Sequence, residues 1–136
     1  MKKMITMIVC SISFLVLSAC VSKKKLILPE PETISVISIQ KKISEDIKTI
    51  TKREEISKLI DEIQKQSTST TLESLNDQPT NVKDYIIIKF SHQNEETDSV
   101  AYLYTMKEKQ YIEQPYVGIW EVSPDIANRV EEAFSS

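Results

Sequence analysis

The sequence predicts an α+β domain in which two helices pack on one face of a mainly antiparallel sheet of about five or six strands. Two patterns support this prediction. Short stretches rich in β-branched and aromatic residues alternate with polar residues, and two other stretches carry apolar residues at helical spacing. With 136 residues, 40% hydrophobic and 27% charged, the chain has the size and composition of one folded domain.

The first half of the domain contains two predicted strands and a helix. Residues 34–40 (ISVISIQ) predict a first strand, and residues 46–50 predict a short second one. Thr51 and Glu54 fit a capping box at a helix start. The amphipathic helix that follows has about four turns, and its apolar stripe is expected to face the core; the stripe consists of Ile56, Leu59, Ile60 and Ile63.

The second half predicts most of the sheet. Residues 70–75 fit a strand that ends at the turn signal of residues 76–79 (NDQP), and residues 85–90 (YIIIKF) give the clearest strand pattern. Three more strands are predicted, with a polar turn at residues 107–109 between the first two; they cover residues 100–105, 110–113 and 117–122.

A second helix closes the chain. Ser123 is predicted to cap it and Pro124 to occupy its first position, since proline lacks the N–H that would be unpaired there. Its apolar stripe is expected to contain Ile126, Val130 and Phe134.

The N-terminus has the pattern of a secretory signal. A short basic start precedes an uncharged apolar run at residues 4–17, and two small residues precede Cys20. Residues 17–20 (LSAC) resemble the lipobox of bacterial lipoproteins. The resemblance implies cleavage after residue 19 and a diacylglycerol thioether, with acyl chains such as palmitate, on Cys20.

Two other interpretations of the N-terminus stay open. Residues 4–21 could be an uncleaved anchor, although they are at or below the roughly 17–25 residues of a spanning helix. Cys20 could also be an incidental cysteine behind an ordinary signal peptide. Cys10 lies inside the apolar run and would be removed on cleavage, so the mature chain could form no internal disulfide.

The predicted organisation is a signal peptide at residues 1–19, a lipidated Cys20 with an extended tether to residue 32, and one domain at residues 33–136. Acyl chains on Cys20 would hold the domain at the outer face of the cell membrane. The three lysines at residues 23–25 either attract anionic headgroups or are ordinary solvated linker residues.

Charge and residue counts exclude several kinds of site. The formal net charge is −3 without a basic cluster in the domain, which disfavours nucleic acid as a partner. Gly118 is the only glycine, so no glycine-rich phosphate loop is present. His92 is the only histidine and is expected in a solvated loop, so neither a His-based triad nor a zinc site is predicted. We expect no cofactor and no metal.

Carboxylates leave two candidates open. The acidic stretch at residues 95–98 (EETD) could bind calcium, but it lacks the spacing of an EF-hand loop and is better explained as solvated. Glu113 and Glu121 flank an aromatic-rich segment and are the one pair considered for carboxylate catalysis. Exposed acidic residues on a sheet are far more common, so no catalytic residue is predicted.

The segment from residue 110 to 122 (QYIEQPYVGIWEV) is the least ordinary part of the domain. It contains Tyr111, Tyr116 and Trp120 together with Pro115 and Gly118. These aromatics either form a binding surface or pack in the core under the helices, and the core is the favoured interpretation. Gly118 is expected to permit a bulge or a close approach.

Several of these features together resemble a known family. They are residues 76–79, the strand YIIIKF, the pair Tyr102 and Tyr104, and above all YIEQPYVGIWEV at residues 111–122. They are similar to small uncharacterised lipoproteins of low-GC Gram-positive bacteria, the domain-of-unknown-function family 5301, with a YhfM-like domain as a related type. The resemblance implies an extracytoplasmic lipoprotein without an established activity.

Three hypotheses of function follow. The leading one is a non-enzymatic binding or accessory module at the cell envelope, with an unknown envelope protein as its partner. The second is an immunity or inhibitor lipoprotein directed against a toxin or secreted enzyme. The third is a carboxylate-dependent hydrolase of envelope polymers that uses Glu113 and Glu121.

Overall fold

The computed structural model describes residues 24–135. The predicted signal peptide and the predicted lipidation site at Cys20 lie outside the described residues. A short 3-10 turn at Pro31–Thr33 precedes the first strand. The strands and helices in chain order are β1 (Ile34–Lys41), β2 (Ile47–Ile50), α1 (Arg53–Lys65), β3 (Ser67–Ser69), β4 (Ile86–His92), β5 (Asp98–Met106), β6 (Lys109–Gln114), β7 (Gly118–Val122) and α2 (Pro124–Glu132).

The seven strands form one antiparallel sheet in the order β2-β1-β4-β5-β6-β7-β3. The α+β class and the antiparallel sheet are confirmed, but the expected five or six strands are too few. Both edge strands are short, with four residues in β2 and three in β3. The sequence predicts β2 at residues 46–50, whereas β3 (STS) is so brief and polar that it gives little sequence signal. The strand predicted at residues 70–75 is wrong, because β3 ends at Ser69 and those residues form none.

The main core lies between the helices and one face of the sheet. The four predicted apolar residues of α1 are all buried there, and α2 adds Ile126 and Val130. Phe134 lies beyond the end of α2 and is partly buried against the same core. An ion pair of 3.2 Å between Arg129 Nε and Glu62 Oε2 joins the two helices. In residues 24–135, neither helix has the length and apolar character needed to cross a membrane.

The predicted capping box of α1 does not form. Lys52, not Thr51, is the N-cap residue, and no side chain bonds the free N–H groups of the first turn. The predicted start of α2 at Ser123 and Pro124 is confirmed, but the serine hydroxyl bonds the Gln66 side chain instead of the helix. That bond connects the start of α2 to the end of α1, so a tertiary contact replaces the local cap.

The opposite face of the sheet is covered by residues 70–85, which contain neither helix nor strand. A second apolar cluster forms beneath them, separate from the main core. Two pairs of aromatic rings stabilise it: Tyr104 stacks on Tyr111 at 6.0 Å between centroids, and Tyr85 meets Tyr102 edge-on at 5.2 Å. The buried members are Tyr85, Tyr104, Tyr111 and Ile119.

The folded domain begins earlier than the sequence suggests. Leu26 and Leu28, expected in an extended tether, are buried in the main core. Because side chains of an extended segment alternate, Ile27 between them faces outward and is exposed. The backbone carbonyl of Lys24 accepts a hydrogen bond of 2.9 Å from the indole N–H of Trp120. The segment from residue 24 to 28 is therefore fixed to the sheet.

Gly118 accommodates the indole ring of Trp120. The pairing of β6 with β7 is regular through Gly118, so the bulge considered for this position is absent. A Cβ atom at Gly118 would lie 2.9 Å from Cη2 of Trp120, which is closer than van der Waals contact allows. The close approach expected at this glycine is thus made by a buried side chain.

We predict that Gly118→Ala lowers the free energy of unfolding by about 1–3 kcal/mol, because the added methyl overpacks a rigid, buried ring. Urea denaturation followed by circular dichroism measures this. In a Trp120→Leu background, Gly118→Ala should lower the free energy of unfolding by a much smaller amount. An equal cost in both backgrounds would contradict the contact.

Candidate functional site

The candidate site lies at the end of the sheet where β6 turns into β7. Pro115, Tyr116 and Val117 connect the two strands, and we call these three residues the hairpin tip. Two features meet there: a buried polar network behind the tip and a group of exposed apolar side chains around it.

Glu113 is the centre of the buried network. It is 5% exposed, although carboxylates are rarely buried without partners. The Ser74 hydroxyl donates to its Oε1 at 2.6 Å, and the Tyr104 hydroxyl donates to its Oε2 at 3.0 Å. Ser74 in turn accepts the backbone N–H of Tyr116 at 3.3 Å. Residues 70–85 cover this face of the sheet, and we call them the covering segment. The network therefore connects the covering segment, the sheet and the hairpin tip.

Burial affects the neighbouring tyrosines. Loss of solvent raises the pKa of Tyr104 far above its ordinary value of 10.0, and its hydrogen bond to Glu113 raises it further. Burial also raises the pKa of Tyr102, which lies opposite Glu113 on β5. Both phenols therefore stay protonated near neutral pH, and Tyr104 is fixed as a donor to the carboxylate.

Tyr116 occupies a strained position at the apex of the tip. Its φ of 61° lies in the left-handed region that non-glycine residues rarely adopt. The N–H of Val117 donates to the carbonyl of Gln114 at 3.0 Å, closing a turn with Pro115 at its second position. The hydroxyl of Tyr116 donates to Asp77, which raises the pKa of the tyrosine. The side chain is 64% exposed despite these restraints.

Exposed apolar side chains surround the hairpin tip. Leu72 and Leu75 from the covering segment share a groove of about 440 Å³ with Tyr116, Val117 and Lys24. Ile27 is also close to the hairpin tip, because its backbone carbonyl accepts a hydrogen bond of 3.0 Å from the side-chain amide of Gln114, the residue before the tip. We call this surface the tip patch; it consists of Ile27, Leu72, Leu75, Tyr116 and Val117.

The three aromatic residues of the segment have separate locations. Trp120 is in the main core under the helices, as favoured from the sequence. Tyr111 is buried too, but in the second cluster on the opposite face, so the expected location under the helices is wrong for it. Tyr116 belongs to the exposed surface. Two aromatic side chains of this short segment are thus buried, and the third is exposed.

Glu113 and Glu121 lie on the same face of the sheet, since Glu113 pairs with Ile119 and Glu121 is two residues further along β7. Their environments differ. Both oxygens of Glu113 accept hydrogen bonds, whereas Glu121 is partly exposed and pairs with Lys109 at 3.5 Å. This arrangement gives Glu113 the role of attaching the covering segment to the sheet.

The remaining candidates lie away from the tip. His92 is the last residue of β4 and not in a loop, and its Nε2 is 2.8 Å from the Ser99 hydroxyl. Glu95 and Glu96 are exposed in the following turn, and Asp98 begins β5. Within residues 24–135, no three His, Cys, Asp or Glu side chains are grouped so that they could hold a metal ion.

Ser74 and Leu75 were not singled out from the sequence. Both lie in residues 70–75, where a strand pattern was predicted, and only the fold brings them to Glu113 and to the tip. The one available signal is the neighbouring turn at residues 76–79. It predicts that the chain changes direction, but not which residues the segment then contacts.

We predict that Glu113→Gln lowers the free energy of unfolding by about 1–3 kcal/mol, because an amide cannot accept from both Ser74 and Tyr104 in the same geometry. Glu121→Gln is the matched control; its partly exposed ion pair predicts a loss below about 1 kcal/mol. Urea denaturation of both variants checks this. Equal losses would contradict a structural role for Glu113.

We also predict that stability falls as the pH rises above about 10. The folded pKa of Tyr104 exceeds its unfolded value, so above 10.0 the unfolded chain loses the phenol proton while the folded chain retains it. This favours unfolding. Urea titrations at about pH 9 and pH 11 measure the fall, and Tyr104→Phe should make it shallower. A fall of the same steepness in the variant would count against this assignment.

Comparisons with known proteins identify a family but no activity. No protein with a curated description is significantly similar in sequence. The chain is similar to a solved protein described as "NMR structure of the protein from Ruminococcus gnavus", with 27% identity and a TM-score of 0.61. The match covers 76% of this chain and 99% of the other.

The family model DUF5301, described as "Domain of unknown function (DUF5300)", matches residues 22–121. That range includes the segment from residue 24 to 28, the hairpin tip and the whole sheet except Val122, the last residue of β7. The chain therefore belongs to the DUF5301 family.

Proposed function

We propose that this protein is a lipoprotein of the low-GC Gram-positive type, anchored by Cys20 at the outer face of the cell membrane, and that its domain is a non-enzymatic binding or accessory module for an envelope protein. The observation that carries the proposal is the sequence LSAC at residues 17–20, directly behind a short uncharged apolar run. A secretory signal places the domain outside the cytoplasm, and a lipid on Cys20 would keep it at the membrane.

The extent of the family match supports this division of the chain. It begins at residue 22, so the family domain occupies the part that would remain after cleavage before Cys20. The structure is consistent with the same division, because Lys24 is already bonded to Trp120. Almost no free linker separates the proposed anchor from the domain.

The contacts of the acidic residues support a module without catalysis. A general acid or base needs a carboxylate that can exchange a proton with a substrate. Glu113 is enclosed by two hydroxyl donors, and Glu121 is engaged by Lys109. The side chains of the site that do face outward are mainly apolar, as at surfaces that contact a protein or a membrane.

We predict that Cys20→Ser abolishes lipid attachment, because the thioether needs the cysteine sulfur. The native protein should lie in the membrane fraction of a Gram-positive host and should have the mass of a chain beginning at a diacylated Cys20. The variant should lose that mass and leave the membrane fraction or accumulate with its leader. Cys10→Ser is the matched control and should behave as the native protein, since Cys10 lies in the removed segment.

The same cells test the binding role. Cross-linking of intact cells should give a defined adduct with one envelope protein in the native strain, reduced in the Cys20→Ser strain. Native protein that retains its leader, or that carries an unmodified thiol at Cys20, would contradict the anchor. Correct lipidation without any adduct would contradict the binding role alone.

A further inference from the structure

Exposed apolar side chains are concentrated at one end of the molecule. Among the described residues, seven large hydrophobic side chains are exposed. Five of them form the tip patch. The other two, Ile43 and Ile47, lie at the connection between β1 and β2 and at the start of β2.

Strand register separates these two groups. Lys41, at the end of β1, pairs with Ile86 on β4, and Ile86 pairs with Leu103 on β5. Leu103 pairs with Ile112 on β6. From this level β6 continues to Gln114 and the hairpin tip, whereas β1 continues in the opposite direction to Ile43, and the edge strand β2 is four strands away from β6. The tip patch and Ile43 are therefore at opposite ends of the domain. Ile43 can serve as an internal control for experiments on the tip patch.

The start of the described chain lies at the tip patch. The backbone of Lys24 is bonded to Trp120, and its ammonium group donates to the carbonyl of Val117. Only three residues lie between Cys20 and Lys24, and the four residue steps from one to the other span about 14 Å when fully extended. A lipid headgroup layer is itself roughly 5–7 Å thick. An acylated Cys20 therefore keeps the hairpin tip close to the membrane: its distance from the outer surface of the headgroups is at most about the thickness of one more headgroup layer.

We propose that the tip patch docks on the lipid surface, with the hairpin tip inserted at the level of the headgroups; this inference rests on the lipid anchor of the proposed function. The occupant of the patch is the bilayer that holds Cys20, because the short chain leaves little space for a protein between them. Docking also fixes the orientation of the domain: the tip faces the membrane and Ile43 faces away.

The chemistry of the patch suits an interface between water and hydrocarbon. Tyr116 has an apolar ring and a polar hydroxyl, the combination enriched at membrane interfaces. Val117 and Leu75 line the same groove and add aliphatic surface. The tip holds Tyr116 outward at its apex, although this requires a strained backbone.

Charge at the patch is balanced. Lys24 and Lys25 are exposed and can attract anionic headgroups. Two exposed carboxylates oppose that attraction: Glu73 lines the groove, and Asp77 interacts with the hydroxyl of Tyr116. The apolar side chains therefore provide the main contact, while the lysines offset the repulsion between these carboxylates and an anionic surface.

The test places a fluorescent label at each end of the full chain. Leu75→Cys and Ile43→Cys are matched, since the two side chains are 69% and 71% exposed. Each lipidated variant, made in a Gram-positive host, is labelled with a polarity-sensitive thiol fluorophore. It is then reconstituted into vesicles of equal phosphatidylglycerol and phosphatidylcholine that contain a nitroxide-labelled lipid. Val117→Cys provides a second position at the tip.

Docking predicts a blue shift and quenching several-fold stronger at positions 75 and 117 than at position 43. Adding Val117→Asp to the Leu75→Cys chain should weaken the quenching, whereas Ile47→Asp should not. Equal quenching at the two ends, or no effect of Val117→Asp, would overturn the docking.

The native chain distinguishes this failure from failure of the anchor. Its only cysteine after cleavage is Cys20, so a lipidated native chain takes no label. Label on the native chain would contradict the anchor and overturn the docking with it. An unlabelled native chain with equal quenching at the two ends would overturn the docking alone.

Discussion

The hydrogen bond from the Trp120 indole to the carbonyl of Lys24 determines how the N-terminal segment meets the domain. It fixes the chain at the point where the described structure begins, and it allows Leu26 and Leu28 to complete the main core. The same indole lies over Gly118, the only glycine of the sequence, because any larger residue there would collide with the ring. The start of the chain and the hairpin tip are therefore held together as one end of the molecule.

The two faces of the sheet are covered in different ways, and this difference creates the candidate site. Helices α1 and α2 bury one face with aliphatic side chains. The other face is covered by an irregular segment that side-chain hydrogen bonds attach to the sheet. Glu113 accepts one such bond from Ser74 of the segment and another from Tyr104 of β5, and within residues 24–135 no buried side-chain nitrogen or oxygen lacks a partner. The buried carboxylate is best understood as the attachment of this cover.

Prediction from the sequence succeeded where a short repeat of apolar residues defines an element. The stripe of α1 and the strand pattern YIIIKF are both found in the structure, because the spacing of the apolar residues in each pattern puts them on one face only when the chain forms that helix or strand. It failed where a tertiary contact competes with a local preference. Thr51 does not cap α1, residues 70–75 form no strand, and the segment with two leucines near the N-terminus packs instead of extending into solvent. The DUF5301 membership predicted from YIEQPYVGIWEV is confirmed.

The sequence by itself determined the α+β class, the antiparallel sheet, the positions of both helices and the family, since these depend on periodicity and on local motifs. Only the tertiary structure decided which aromatic residues are buried. Trp120, Tyr111 and Tyr116 are separated by a few residues, yet they lie in the main core, in the second cluster and at the surface. Strand alternation assigns a side chain to a face, but what covers that face comes from residues distant in the chain. For that reason the tip patch could be recognised only after residues 24–28 and 70–85 were in place.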